Sequence, residues 1–241
     1  MGVIGHLGAS AAPRIMKSGL SSVVKSFSFR CDAKQSEERY EHFDEWISGQ
    51  PHFILGAKLP EPVVKGSQPI YTEGGTITVI STMSIQALSI DLSVCRLADK
   101  IDFGDSNVRR PRPKDVLVTV DGGTSIGKPV LFNLDGEFAV DSHVAILRPV
   151  DLDPDLLVHL LASPLGQLQF QRAESGASGQ TSVTEDDIRR FRFPILDAAV
   201  EARAVGDVKA ARADASALRA RAIAREDQGW EEFLRESAPG L

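Results

Sequence analysis

Between residues 76 and 147 the chain alternates short apolar runs with turn-forming residues. Residues 76–80, 116–120, 129–132 and 144–147 are β-branched or apolar stretches bounded by Gly, Asp, Asn or Pro, and each predicts a strand of a mixed or antiparallel sheet. The period then lengthens. Asp153-Pro154-Asp155 opens a helix, with Asp153 as its cap and Pro154 in its first turn, that carries Leu156, Leu157, Leu160 and Leu161 inward. A second helix follows from Pro164 to about Arg172, then a polar loop over residues 175–180. Thr184-Glu185-Asp186-Asp187 caps one more short helix, which ends before Pro194. Upstream, residues 36–47 predict a charged amphipathic helix with Tyr40, Phe43 and Trp46 at three-residue spacing, a packing face.

The pattern changes near Ala198. From there to Arg225 there is no proline and one glycine, Gly206, in a run rich in Ala, Arg, Asp and Val. Its apolar positions Ala204, Val208, Ala211, Ala215, Leu218 and Ala222 alternate spacings of four and three, the seam of a coiled coil. Such a helix demands a partner helix, from the same chain, a second copy or another protein. The alanines make that seam thin, so it buries little apolar area and pairs weakly by itself. Three regions are therefore expected: residues 1–58, a helical or irregular segment of unclear role; residues 59–197, a sheet domain; and residues 198–241, the coiled-coil helix and tail. The fold class is α+β.

The chain of 241 residues carries 27 Lys+Arg against 33 Asp+Glu, a formal charge of −6, which argues against a protein that coats nucleic acid. Clustering changes that picture. Arg109, Arg110, Arg112 and Lys114 fall within six positions, and Arg189, Arg190 and Arg192 within four. No apolar stretch approaches the length of a spanning helix. The start has neither a secretory pattern nor the Ser or Thr of a myristoylation signal, His6 standing there instead, so a cytoplasmic protein without membrane partners is expected. Cys31 and Cys95, with no metal-spaced companions, read as structural thiols of a reducing compartment, and no metal site is expected.

Several motifs fail on inspection. Gly122-Gly123-Thr124-Ser125-Ile126-Gly127-Lys128 fits a phosphate-binding loop, but Pro129 stands where a magnesium-binding hydroxyl belongs, and a strand follows instead of a helix. A tight glycine turn between strands remains, and its Thr124, Ser125 and Lys128 are able to donate to a DNA phosphate or base edge. Asp141-Ser142-His143, read as consecutive strand residues, alternates faces and forms no triad. Asp186-Asp187 sits at a helix start and complements its dipole. The chain has no Pro-Pro, so an amino-methyltransferase element of the Asn-Pro-Pro-Tyr kind is missing, and a non-enzyme is expected.

Three stretches within residues 59–196 carry a resemblance. Residues 113–128 pair a Pro-Lys-Asp strand start with a Gly-Thr-Ser-Ile-Gly-Lys turn; Ser163-Pro164-Leu165-Gly166-Gln167 joins two helices; Gly176-Ala177-Ser178-Gly179-Gln180-Thr181 leads to Asp187-Ile188-Arg189-Arg190-Phe191-Arg192-Phe193-Pro194-Ile195. In this order they resemble the target recognition domain of type I restriction-modification specificity subunits. Lys114 stands where the family has glycine, and Ser125 is an insertion. The helix from Ala198 resembles the family's spacer, which separates recognition domains and docks methyltransferase subunits. The usual subunit has two of each part; this chain resembles half of one, a self-pairing half-subunit or a detached module.

The resemblance implies a sequence-specific module that brings a separate adenine methyltransferase, and a restriction or translocase subunit, to double-stranded DNA. S-adenosylmethionine and ATP would then belong to the partner subunits, and this chain needs no cofactor. Arg109, Arg110, Arg112, Lys114 and Lys128 are the phosphate candidates, with Arg189 and Arg190 from the second cluster. Ser178, Gln180 and Thr181 are the base-reading candidates, because Gln pairs with adenine at two points. The six seam residues from Ala204 to Ala222 are the partner interface, with a homodimer as one outcome. The alternative is a protein-interaction adaptor on the same scaffold that does not read DNA.

Overall fold

A computed structural model describes residues 37–86, 88–104, 107–175 and 181–237. Ser36, Cys31, Ser178 and Gln180, singled out above, lie outside the described residues. In chain order the described elements begin with helix α1 (Glu38–Ser48), strand β1 (His52–Ile54) and a 3-10 turn (Leu55–Lys58). Strands β2 (Val64–Lys65), β3 (Ile77–Ile80), β4 (Ile85–Gln86), β5 (Ser89–Ile90) and β6 (Arg96–Ala98) follow. After them come β7 (Val116–Thr119), β8 (Pro129–Leu131), β9 (Phe138–Val140) and β10 (Val144–Leu147). Helices α2 (Pro154–Ala162), α3 (Pro164–Ala173) and α4 (Glu185–Arg189), strand β11 (Arg192–Pro194) and helix α5 (Ala198–Ser237) complete the order. The chain is α+β.

The four strands expected from the hydrophobic runs are β3, β7, β8 and β10. Every residue of β7 and β10 is buried, which is why they read as unbroken apolar runs. They form an antiparallel sheet in the order β2-β10-β7-β8, and a second sheet, β6-β3-β9, pairs β3 parallel to β9. Ile80, Ile85, Leu117, Val130, Phe132, Val140, Val144 and Ile146 form one buried cluster between these strands. Phe138 packs edge-on against Phe132 at 5.6 Å.

Helix starts follow their local chemistry. Asp153 Oδ1 accepts from the N–H groups of Asp155 (2.8 Å) and Leu156 (3.1 Å), and Ser163 caps α3 through Gly166 N–H. Thr184 and Asp187 form a reciprocal capping box at α4. On α1, Tyr40 and Phe43 are buried as expected, but Trp46 is 48% exposed and Ile47 takes the third inward place. The correction follows from the 3.6-residue turn: positions 40, 43 and 47 stay on one face, whereas a second step of three drifts off it.

The expected division at residues 58/59 does not coincide with a division of the fold. One compact unit runs through Ile195 and a second begins at Leu196. Strand β1 pairs antiparallel with β11, His52 opposite Pro194, and Leu55 N–H donates to Phe191 O at 2.7 Å, so residues 52–55 belong with the sheet domain's last strand. Backbone pairing across a large sequence gap joins these residues to a strand that the sequence pattern places in the next region. In the second unit, Asp197 caps the 40-residue helix α5 through Ala199 N–H at 2.9 Å. At 1.5 Å per residue it is about 60 Å long. Ala204, Val208, Ala211, Ala215, Leu218 and Ala222 are all exposed on it.

Candidate nucleic-acid interface

The turn between β7 and β8 is held by one side chain of β7. Thr119 Oγ1 accepts from Lys128 N–H at 2.9 Å and donates to the Ser125 carbonyl, while Gly127 N–H donates to Thr119 O at 2.8 Å. From α3, Gln167 donates to Gly127 O at 2.7 Å. Gly127 needs its glycine twice over: its φ is +81°, and a Cβ there would lie 3.0 Å from the Phe170 ring. The turn therefore presents exposed Thr124 and half-buried Ser125 and Lys128 from a braced backbone. Pro129 leads directly into β8, so the loop lacks the helix N-terminus that a phosphate-binding loop requires.

Residues 181–183 return beside this turn. Gly122 N–H donates to Thr181 O at 3.2 Å and Val183 N–H to Val120 O at 2.9 Å, while Asp121 and Ser182 form an antiparallel bridge. Here a cavity of about 490 Å³ opens, lined by Thr82, Asp121, Ser125, His143, Thr181 and Ser182. Ser125 and Thr181, candidates from two separate motifs, meet in it. Asp121 Oδ2 accepts from Lys65 Nζ at 2.7 Å and lies 3.3 Å from His143 Nδ1. None of Lys65, Thr82, Asp121, Ser182 or His143 was singled out as a site residue from the sequence. They come from five separate segments, with no spacing that could have joined them.

Asp141, Ser142 and His143 occupy the turn between β9 and β10, not a strand, which corrects the reason for rejecting a triad but not the rejection. Asp141 accepts from His143 N–H at 2.8 Å, Ser142 donates to Gln68, and the His143 ring turns to Asp121. Burial pushes the Asp141 carboxyl above its ordinary value, and the His143 N–H draws it back only in part.

The first arginine cluster is sorted by its partners. Arg148, buried, makes a two-point contact with Asp115 (3.1 and 3.2 Å) and donates to the carbonyls of Val108 and Arg110, fixing the backbone that carries the cluster. Burial raises the Asp115 carboxyl, and Arg112 N–H and the Arg148 guanidinium oppose the rise. Arg110 pairs with Glu137 and lies 5.4 Å from the Phe103 ring centre. Arg112 meets Glu61 at 3.4 Å. Arg109 and Lys114 are exposed. Lys114 has φ +74°, in the left-handed backbone region that favours glycine.

In the second cluster Arg190 is exposed, whereas Arg189 turns inward. Its guanidinium donates to the carbonyls of Leu59 (2.9 Å), Glu61 (3.3 Å) and Gly56 (3.2 Å), bracing the 3-10 turn and the chain after it. Arg192 pairs with Asp44. The two clusters nevertheless share a neighbourhood: Glu185 is raised by burial and by Asp186, and lowered by Lys65, Arg109 and Arg189 together. Among the described residues no group of three or more His, Cys, Asp or Glu side chains is placed to hold a metal. No described helix is long and apolar enough to cross a membrane.

No protein-family model matches the chain, and no curated protein matches it. Among solved structures, the chain is similar to the HsdS subunit from Thermoanaerobacter tengcongensis, at 19% identity over 79% of this chain and 50% of that one, with a TM-score of 0.49. A structure described as the basis of complex assembly and conformational transition of the type I R-M system gives 18% identity over 88% of this chain and 53% of that one, TM-score 0.49. The type I restriction-modification S subunit from M. genitalium gives 14% identity over 66% of this chain and 38% of that one, TM-score 0.47. The chain spans about half the length of the first two.

Proposed function

We propose that this chain is a sequence-specific DNA-binding module of a restriction-modification system, with the architecture of half a type I specificity subunit. The observation that carries the reading is the convergence of Ser125 and Thr181 on one concave surface, because two weak motifs far apart in sequence reach the same place. The three resembling stretches support it from the sequence side. Lys65, bound to Asp121, supplies positive charge at that surface, and Arg109 acts with it on Glu185. In this reading Arg109, Lys114, Lys128 and Arg190 contact phosphates, and Thr124, Ser125 and Thr181, with Ser178 and Gln180, read base edges. Arg189 serves as a brace, and Arg110 and Arg112 are partly neutralised by Glu137 and Glu61.

Helix α5 is the docking element in this proposal. Its exposed seam takes a second copy of this chain or a methyltransferase subunit, and a restriction or translocase subunit joins through that assembly. Methyl transfer from S-adenosylmethionine and any ATP-driven step belong to those partners, so the chain itself is not an enzyme. The adaptor reading shares the exposed seam, with Leu218 63% exposed, and differs only in DNA.

Binding of a random-sequence duplex at several salt concentrations tests the DNA reading. The expected result is affinity that falls steeply with salt and loses about one unit of slope in Arg109→Gln. Folded protein with no duplex binding at low salt, alone or with its methyltransferase partner, transfers the chain to the adaptor class.

A further inference from the structure

The cavity beside the β7–β8 turn holds polar groups that the fold does not use. Asp121 Oδ2 is committed to Lys65 and His143, but Oδ1 accepts no hydrogen bond among the described residues. Thr181 Oγ1 is buried with no hydrogen-bond partner among the described residues. Thr82 and Ser182 also line the space, and their hydroxyls make no hydrogen bond among the described residues. A buried hydroxyl left unpaired is costly, so a ligand with matching groups gains by entering. At about 490 Å³ the cavity falls in the range of small-molecule sites and has room for a nucleoside.

Its chemistry selects the ligand. Lys65 already balances Asp121, and the free carboxylate oxygen has no proton to offer, so a phosphate entering here meets an acceptor instead of a donor. A neutral group with an N–H to give fits. Guanine presents two adjacent donors that want both carboxylate oxygens, and only one is free. Thymine's single N–H lies between two carbonyls that face the carboxylate unfavourably. The exocyclic amino group of cytosine or adenine projects beyond its ring, and its ring acceptors then face hydroxyl donors.

We infer that this cavity binds an unstacked nucleobase bearing an exocyclic amino group, cytosine or adenine, with Asp121 Oδ1 accepting from that group and the Thr181, Ser182 and Thr82 hydroxyls meeting the ring. Such a base comes from a DNA strand, lifted out of its stack, or from a free nucleoside. The first source deepens the DNA reading and rests on it; the second does not.

The full chain is titrated with deoxycytidine, deoxyadenosine and thymidine, followed by amide NMR shifts at residues 121–125, 143 and 181–183. In parallel, affinity is measured for a duplex with one bulged cytosine, the same duplex with a bulged thymine, and the fully paired duplex. The inference predicts a preference of about tenfold for cytosine and adenine over thymine in at least one arm, lost in Thr181→Val. Since the Thr181 hydroxyl has no partner to lose among the described residues, that variant keeps or raises its thermal midpoint; Asp121→Asn, which should lose the preference as well, provides a second test. Preference in the nucleoside arm alone identifies a free nucleoside as ligand, and preference in the bulge arm alone identifies a strand base. Equal binding of thymine, or an unchanged preference in folded Thr181→Val, overturns the inference. Paired-duplex affinity without any base preference removes the cavity and leaves the DNA reading; nucleoside preference without duplex affinity does the reverse.

Discussion

Arg172, on the third helix, places one guanidinium nitrogen 3.0 Å from both carboxylate oxygens of Asp44, on the first, across 128 residues of sequence. Its side chain is 4% exposed, and Tyr40 offers its ring face at 5.4 Å. Arg192 reaches the same carboxylate. One acidic side chain thus ties the α1 helix to two elements at the far end of the sheet domain. Removing one partner of a buried pair leaves the other desolvated and unpaired. Asp44→Asn is expected to cost about 3 kcal/mol in urea unfolding, because it takes the carboxylate from the buried Arg172 guanidinium, and Arg172→Ala less, because the Asp44 it leaves is partly exposed and keeps Arg192. A cost below 1 kcal/mol for Asp44→Asn would show that α1 is held by its apolar face alone.

Thr119 is the hinge pin of the candidate reading turn. Thr119→Val keeps shape but leaves Lys128 N–H and the Ser125 carbonyl without the hydroxyl that joins them, at a cost of about 1–2 kcal/mol. Hydrogen exchange at the Lys128 amide should accelerate while exchange in β10 changes only by the global loss. Equal acceleration everywhere would assign Thr119 to the core instead of the turn.

The arginines differ in what they already touch, and salt dependence should separate them. Arg109→Gln is expected to lower the slope of log affinity against log salt by about one. Arg112→Gln should change it less, because Glu61 already opposes that charge at 3.4 Å. Arg189→Gln should lower stability before affinity, since three backbone carbonyls lose their donor. Equal slopes for the first two variants would refute this sorting.

Asp141 gives a pH signature. Burial raises its folded-state pKa, so its contribution is most favourable below the ordinary value of 3.8 and is lost as pH rises through the raised value. Asp141→Asn keeps an acceptor for His143 N–H and removes the buried charge. At pH 7 it should raise the thermal midpoint by about 2–4 °C, the equivalent of about 1 kcal/mol, and the gain should vanish below pH 3.8. A gain independent of pH would point to packing.

Local chemistry was legible in the sequence, and long-range chemistry was not. Asp153, Ser163-Pro164 and Thr184 mark helix starts because a cap involves neighbours within four positions. Buried strands announced themselves as apolar runs. The two-residue strands β2, β4 and β5 have no periodicity to read, and the parallel pairing of β3 with β9 joins segments without a shared local signal. Trp46 was taken inward because three-residue spacing approximates a helical face only over one step. The arginine runs were visible as charge, but whether a guanidinium faces solvent or a ring of carbonyls, as Arg189 does, depends on residues over a hundred positions away. The Lys65–Asp121–His143 group was hidden for the same reason, its members lying 56 and 22 positions apart.

The exposed seam of α5 makes a simple claim about assembly. Changing Val208 and Leu218 to Glu is expected to leave a folded monomer in sedimentation velocity, whereas the proposal has the unaltered chain sediment as a pair, or join an added methyltransferase subunit. An unchanged assembly in the double variant would move the interface elsewhere.

The central claim, that this chain reads DNA sequence, is tested most directly by selecting bound oligonucleotides from a random duplex pool, with the purified chain alone and with the methyltransferase subunit that the proposal requires. The account predicts enrichment of a defined motif, interrupted and symmetric if two copies pair through α5, with base preferences that change in Ser125→Ala or Thr181→Val. A folded, partner-bound chain that enriches no sequence would contradict it.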